Sequence, residues 1–177
     1  MARAQLLALG FKPDAIEGRL DLHRLIHVHR TVYAVGHGHL TRRSRMTAAV
    51  LACGDGALLS HRSAAELWGI GGHAASAVDV NAPRGRQGLP RRTGIRLHRS
   101  KIDAEDRANQ AGIPATTVAR TLFDLAEVVE RMRLERAWEE ADRLGLLQIG
   151  AVERVCERGR GRHALRPIRR LLEDSRY

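Results

Sequence analysis

The stretch LLSHRSAAELWGI, residues 58–70, admits two readings with different consequences for the fold. A short apolar run meets Ser60, His61, Arg62 and Ser63, and a helix-forming Ala-Ala-Glu-Leu-Trp segment follows. A hydroxyl beside an imidazole suggests a nucleophile with its base. The same residues suit a strand that turns into a helix, because Ser63 and Glu66 have the S-x-x-E spacing of a capping box, while Ser60 could instead cap one turn earlier. Side chains of adjacent residues diverge on a helix or a strand, which weighs against a Ser60–His61 catalytic pair. On the second reading the helix covers roughly 63–69, Leu67 and Trp68 anchor it in a core, and the glycines of GIGG stop it. Arg62, beside the helix start, remains a candidate phosphate or partner contact.

Downstream, AVDVNAP (77–83) alternates as a strand does, and IRLH (95–98) predicts another. RGRQGLPRRTG (84–94) has no period and reads as an exposed loop that makes those strands a hairpin. Pro114 marks the start of a segment with Val118, Leu122, Leu125 and Val129 on one helical face. Leu134, Trp138, Ala141 and Leu144 outline the next helix. Two more follow near 151–157 and 164–173, the last kinked or begun by Pro167. Upstream, Thr41 predicts the cap of a helix through Cys53, with Met46, Val50 and Cys53 on one face. Before that, RAQLLAL (3–9) ends at Gly10, and Pro13 suits the first position of a second helix with Asp14 and Glu17 in its first turn. RLIHVHRTVYAVG (24–36) reads as two short strands turning near His29-Arg30-Thr31. Helix, turn, helix and hairpin outline a partial winged helix-turn-helix, or equally any small helix–hairpin unit packed on the remainder.

The expected fold is therefore α+β. A winged helix-turn-helix-like unit spans 1–39, and a mixed α/β domain with a small sheet and a helical C-terminal half spans 40–177. The 177 residues carry a net charge of +10, and 28 of the 30 basic side chains are arginine. A GC-rich genome explains arginine in place of lysine, but not the positive excess. Residues 1–50 carry eight basic and three acidic side chains, whereas 102–157 carry seven basic and twelve acidic ones. That head is compatible with nucleic-acid phosphates, although a charge run also serves as a solvated face.

Other chemistries find little support. His23, His27, His29, His37 and His39 cluster in sequence, but they lack metal-ligand spacing on a confident helix. Lys12 and Lys101 are the only lysines, and Lys101 precedes Asp103 and Glu105 in the wrong order for a metal-dependent nuclease. No glycine-rich phosphate loop and no cofactor motif is found. No apolar run spans a membrane, and MARAQLLALG breaks too early for a secretory signal. Cys53 and Cys156 fit no disulfide framework and are expected to be reduced, in a cytoplasmic protein.

LLSHRSAAELWGI, GIPATTVARTLFDLA (112–126) and RLIHVHRTVYAVG together resemble the AbiEi family of antitoxins and repressors of type IV toxin–antitoxin systems, nearest its actinobacterial branch. The resemblance runs from about residue 3 to 173. It implies a non-enzymatic transcriptional regulator that binds double-stranded DNA at its own promoter and counteracts a nucleotidyltransferase-like toxin, with a homodimer compatible. Residues 13–20 would be the recognition helix, with Lys12 and Arg19 near DNA and Arg24 and Arg30 flanking the wing. His27, His29, Arg42, Arg43 and Arg62 complete the candidate DNA-binding set. Arg120 would pair with Asp124. The chain departs from the family's pattern in three ways. It is expected to lack the first helix of the winged unit, to have Thr31 where the wing turn usually has glycine, and to stop before a very-short-patch-repair-like endonuclease domain. The alternatives are a protein–protein antitoxin module that does not read DNA, and a remnant of a regulator–endonuclease fusion.

Overall fold

The computed structural model describes residues 1–72, 76–83 and 93–175. Helices α1 (Arg3–Ala8) and α2 (Pro13–Asp21) are separated by Gly10, whose φ of +88° favours glycine at this turn. Pro13 starts α2, with Asp14 in the first turn. Strands β1 (Leu25–His29) and β2 (Val32–Val35) then pair antiparallel. Their turn needs no glycine at Thr31, because a register shift between His27 and His29 absorbs the difference. The N-terminus closes the unit. The Met1 ammonium donates to the Tyr33 carbonyl at 2.7 Å, and the Arg3 amide donates to Thr31 at 2.8 Å, so β2 lies between β1 and the first residues. Leu6, Ile16, Leu25 and Tyr33 form its small core.

Helix α3 (Arg42–Cys53) follows, and its N-cap Thr41 accepts from the Ser44 amide at 3.1 Å, as the sequence predicts. It packs both on the hairpin, through Ala48 and Ala52 against Val32, and on the second sheet, through Met46 and Val50. That sheet comprises β3 (Leu58–Leu59), β4 (Val78–Asn81), β5 (Ile95–His98), β6 (Arg107–Gln110) and β7 (Ile113–Thr116), in the order β5-β4-β3-β7-β6. Helix α4 (His61–Trp68) leaves β3. A 3-10 turn (Ala104–Asp106) precedes β6. Helices α5 (Val118–Leu125), α6 (Arg131–Arg143), α7 (Ile149–Arg158) and α8 (Leu165–Asp174) complete the chain, with Pro167 in the first turn of α8.

The structure corrects three expectations and adds one hairpin. Strands β4 and β5 run parallel, not as a hairpin, and residues 84–92 of the predicted loop between them lie outside the described residues. Pro114 lies within β7, paired with Asn109, and the helix starts only after the Thr117 cap. Helix α4 begins at His61, two residues early, with Ser60, the alternative, in the N-cap position and Ser63 not capping it. The Ser63 hydroxyl accepts the Asp79 amide at 2.8 Å, while Glu66 is bound by Arg42. The hairpin of β6 and β7 had no counterpart in the sequence reading. Gly69 does end α4, in the left-handed conformation, with the Ile70 and Gly71 amides both donating to Ala65.

Two large apolar clusters fill the chain from α3 onward. One joins α3 to the sheet through Met46, Val50, Leu59, Val80 and Ala115. The other packs α4 to α8 around Leu122, Phe123, Leu134, Trp138, Val152 and Ile168. Trp68 touches both, and its indole N–H donates to the Thr116 carbonyl at 2.8 Å. Among the described residues no helix is long and apolar enough to cross a membrane. Gly159, at the end of α7, leaves no room for a β-carbon, which would overlap the fully buried Phe123 ring. Gly159→Ala is therefore expected to destabilise the fold by about 1–3 kcal/mol through overpacking, measured by urea denaturation. Wild-type stability in that variant would contradict this packing.

Candidate functional site

The predicted DNA-contacting residues divide into two groups. Lys12, exposed, directly precedes α2. Arg24 and Arg30, both exposed, stand immediately before and after β1. His27 is exposed, with its ring 5.0 Å from that of Tyr33, and His29 is half-buried beside the strand irregularity. Arg19 is half-buried, because its guanidinium lies 4.7 Å from the Phe11 ring centroid and donates to the Ala15 carbonyl at 2.9 Å. These six share the small unit formed by residues 1–36. Arg42, Arg43 and Arg62 are held by partners outside that unit. Arg42 makes a two-pronged contact with Glu66 at 2.8–3.1 Å, Arg43 donates to the Ala111 carbonyl at 2.6 Å, and Arg62 donates to the Val128 carbonyl.

The Ser60–His61 pair is where local geometry departs most from expectation. The two side chains do not diverge: Ser60 Oγ and His61 Nδ1 lie 2.9 Å apart. The cause is the backbone of His61, whose φ of +49° turns its side chain back. The His61 ring stacks on His98, with centroids 3.6 Å apart and planes 17° apart. His98 Nε2 in turn meets Asp79 Oδ1 at 2.8 Å. Serine and acid thus engage different imidazoles, unlike a nucleophile triad, in which one imidazole serves both. Ser60 is 0% exposed and His61 3%, so the hydroxyl is closed off from the surface in this structure. Burial, then the positive potential of His98, hold the His61 pKa down at about 3, and the ring is neutral at pH 7.

Behind this pair lies a second buried polar group. Arg120 Nε donates to Asp124 at 2.9 Å, the i+4 pairing the sequence suggested. Its two terminal nitrogens donate to the Lys101 carbonyl and the Ser100 hydroxyl at 3.0 Å each, and one also meets Asp106 at 3.3 Å. Arg158 adds a 2.6 Å bond to Asp106, and Arg162 a 3.2 Å bond to Asp124. Burial pushes the Asp124 carboxyl up, and the adjacent Arg120 and Arg162 oppose that shift. Every strong donor here is committed to a protein acceptor, so the group is an internal brace. Among the described residues no three His, Cys, Asp or Glu side chains group in a way that could hold a metal ion.

The buried His61 has a consequence for acid stability. Its folded pKa lies below the unfolded value of 6.5, so the unfolded chain binds the extra proton and stability falls as pH drops from about 6.5 toward 3. Between pH 7 and 5 this one group accounts for up to about 2 kcal/mol. His61→Asn, which tolerates the positive φ, should lose that share of the acid sensitivity in urea titrations at the two pH values. An unchanged pH dependence would show that His61 titrates normally in the fold.

Comparison with known proteins agrees with this architecture. A family model described as the AbiEi antitoxin C-terminal domain matches residues 55–173. The crystal structure of the RV2827C protein from Mycobacterium tuberculosis is similar at a TM-score of 0.65 and 18% identity, over 93% of this chain and 66% of that one. At that identity the likeness is one of fold, and the present chain spans just under two thirds of that structure's length. No curated protein matches the sequence. The matched stretch takes in the whole five-stranded sheet, the Ser60–His61 turn and the Arg120 brace. The chain belongs to the AbiEi antitoxin family.

Proposed function

We propose that this protein is an antitoxin that also represses its own promoter, binding double-stranded DNA through residues 1–39 while residues 40–177 form the antitoxin domain. The antitoxin role is supported by the family match over 55–173. DNA binding is supported by one observation above the others. Helix α2, partly exposed, follows a glycine turn and is followed by a hairpin, with Lys12, Arg24 and Arg30 exposed around both. In such a unit α2 enters the major groove, the hairpin acts as the wing, and the basic side chains bind phosphates. His27, His29 and Arg19 lie on the same unit as further contacts. A homodimer on a two-fold related site, a nucleotidyltransferase-like toxin as partner, and action in the cytoplasm complete the proposal.

The second reading is a protein–protein antitoxin module that does not read DNA. It is favoured by the intramolecular engagement of Arg19, Arg42, Arg43 and Arg62, which leaves fewer guanidinium groups for phosphates.

Fluorescence anisotropy with the DNA upstream of the gene separates the two readings. With about four phosphate contacts, affinity should fall about 100-fold between roughly 50 and 200 mM salt. Arg24→Glu combined with Arg30→Glu should reduce the salt slope by about 2 and weaken binding on all sequences. No binding at low salt, with toxin neutralisation intact in the double variant, would establish the second reading.

A further inference from the structure

A cleft of about 890 Å³ opens between α4, the turn after it, β5, the end of α5 and α6. Its walls carry four arginines, Arg62, Arg96, Arg133 and Arg136, and no carboxylate among the described residues lines it. Its floor is apolar, built from Ile70, Leu125 and Ala137, each nearly fully buried. The cleft is separate from residues 1–39, and only Arg62 stood out in the sequence.

The arginines are arranged for a ligand more than for each other. Arg62 is oriented by the Val128 carbonyl at the rim. Arg96 lies 3.6 Å from Asp79, a carboxylate already bonded to His98. Arg133 and Arg136, three residues apart on α6, are exposed, and their guanidinium groups make no hydrogen bond or ion pair among the described residues. This is not for want of acids on that helix. Arg131 takes Glu135 and Arg143 takes Glu140, yet Glu130 and Glu139, each three residues from Arg133 or Arg136, form no such pair. Four like charges around one concavity repel one another, and low-dielectric walls concentrate their field. An anion relieves that repulsion.

We infer that this cleft binds a nucleoside polyphosphate. Guanidinium forks match phosphate oxygens in bidentate geometry, and an apolar floor gives a base or sugar ring a surface to cover. The cavity falls within the range of about 300–1,000 Å³ usual for small-ligand sites. Duplex DNA suits it less, because the outside of a duplex offers phosphates but no apolar ring to bury.

Isothermal titration of the full chain with ATP tests the assignment, with adenosine, inorganic phosphate and a short DNA duplex titrated in parallel. Saturable ATP binding is expected, weaker at least tenfold for inorganic phosphate and adenosine. Arg133→Gln with Arg136→Gln should weaken ATP at least tenfold while leaving the thermal midpoint and promoter binding unchanged. These positions are solvent-exposed, so loss of binding with an unchanged midpoint separates a ligand role from a folding role. The inference is overturned by no ATP binding at millimolar concentration, by ATP affinity that ignores the double substitution, or by phosphate binding as tightly as ATP. If the double variant instead loses only duplex binding, the cleft belongs to nucleic acid and the inference also fails.

Discussion

A buried guanidinium is tolerated only when its charge and its N–H groups are met, and Arg120 imposes that condition on most of the second half of the chain. It is 5% exposed, and its partners come from three segments: the residues after β5, the 3-10 turn, and α5 itself. Ser100 also accepts from Asn81, which brings in β4, and Asp106 and Asp124 recruit Arg158 and Arg162 from α7 and the loop beyond it. Arg162 in turn lies 4.9 Å from the Phe123 ring centroid at the centre of the helical core. Removing one member leaves the others buried and uncompensated, at a cost of about 3–5 kcal/mol. The apolar clusters give the domain bulk stability, while this brace fixes how sheet and helices meet.

That constraint explains why a serine, two histidines and an aspartate can gather inside the protein without forming a catalytic centre. Strand β4 is buried on both faces: Val78 and Val80 meet the apolar cluster under α3, while Asp79 meets His98 and Asn81 meets Ser100. The polar alternate positions face a polar interior, not solvent. Ser60, His61 and Ser63 are the matching polar residues on the turn from β3 into α4. The surfaces that the proposals above rest on lie elsewhere, at the exposed basic side chains of the N-terminal unit and in the cleft beside α6. Helix α3 packs against both the hairpin and the sheet, so the N-terminal unit is seated on the antitoxin domain through a shared element.

Much of this was legible in the sequence, and the misses have physical causes. Thr41, Pro13 and Gly69 marked helix ends because capping and φ preferences are local. The Arg120–Asp124 pair was implied by the family resemblance, but Asp106 and Ser100 were not, because they arrive from distant segments. The direction of β5 was misread because the connection to it is long enough to permit either a hairpin or a crossover. Pro114 looked like a helix start, yet proline also suits strand positions where no amide is required. The Ser60–His61 contact depends on a positive φ at a histidine, which no residue type announces. Arg133 and Arg136 carry no signal in the sequence, since the lack of partners for their guanidinium groups is a tertiary fact.

The most direct test of the central claim, that the Arg120 brace frames the antitoxin domain, is a double-mutant cycle on the Arg120–Asp124 bond. Urea denaturation would compare wild type, Arg120→Met, Asp124→Asn and the double variant. A brace predicts that the two substitutions are coupled by about 1–3 kcal/mol, with Arg120→Met far more damaging while Asp124 retains its charge. Additivity within about 0.5 kcal/mol would contradict it, leaving two independent buried groups and a domain held by its apolar clusters alone.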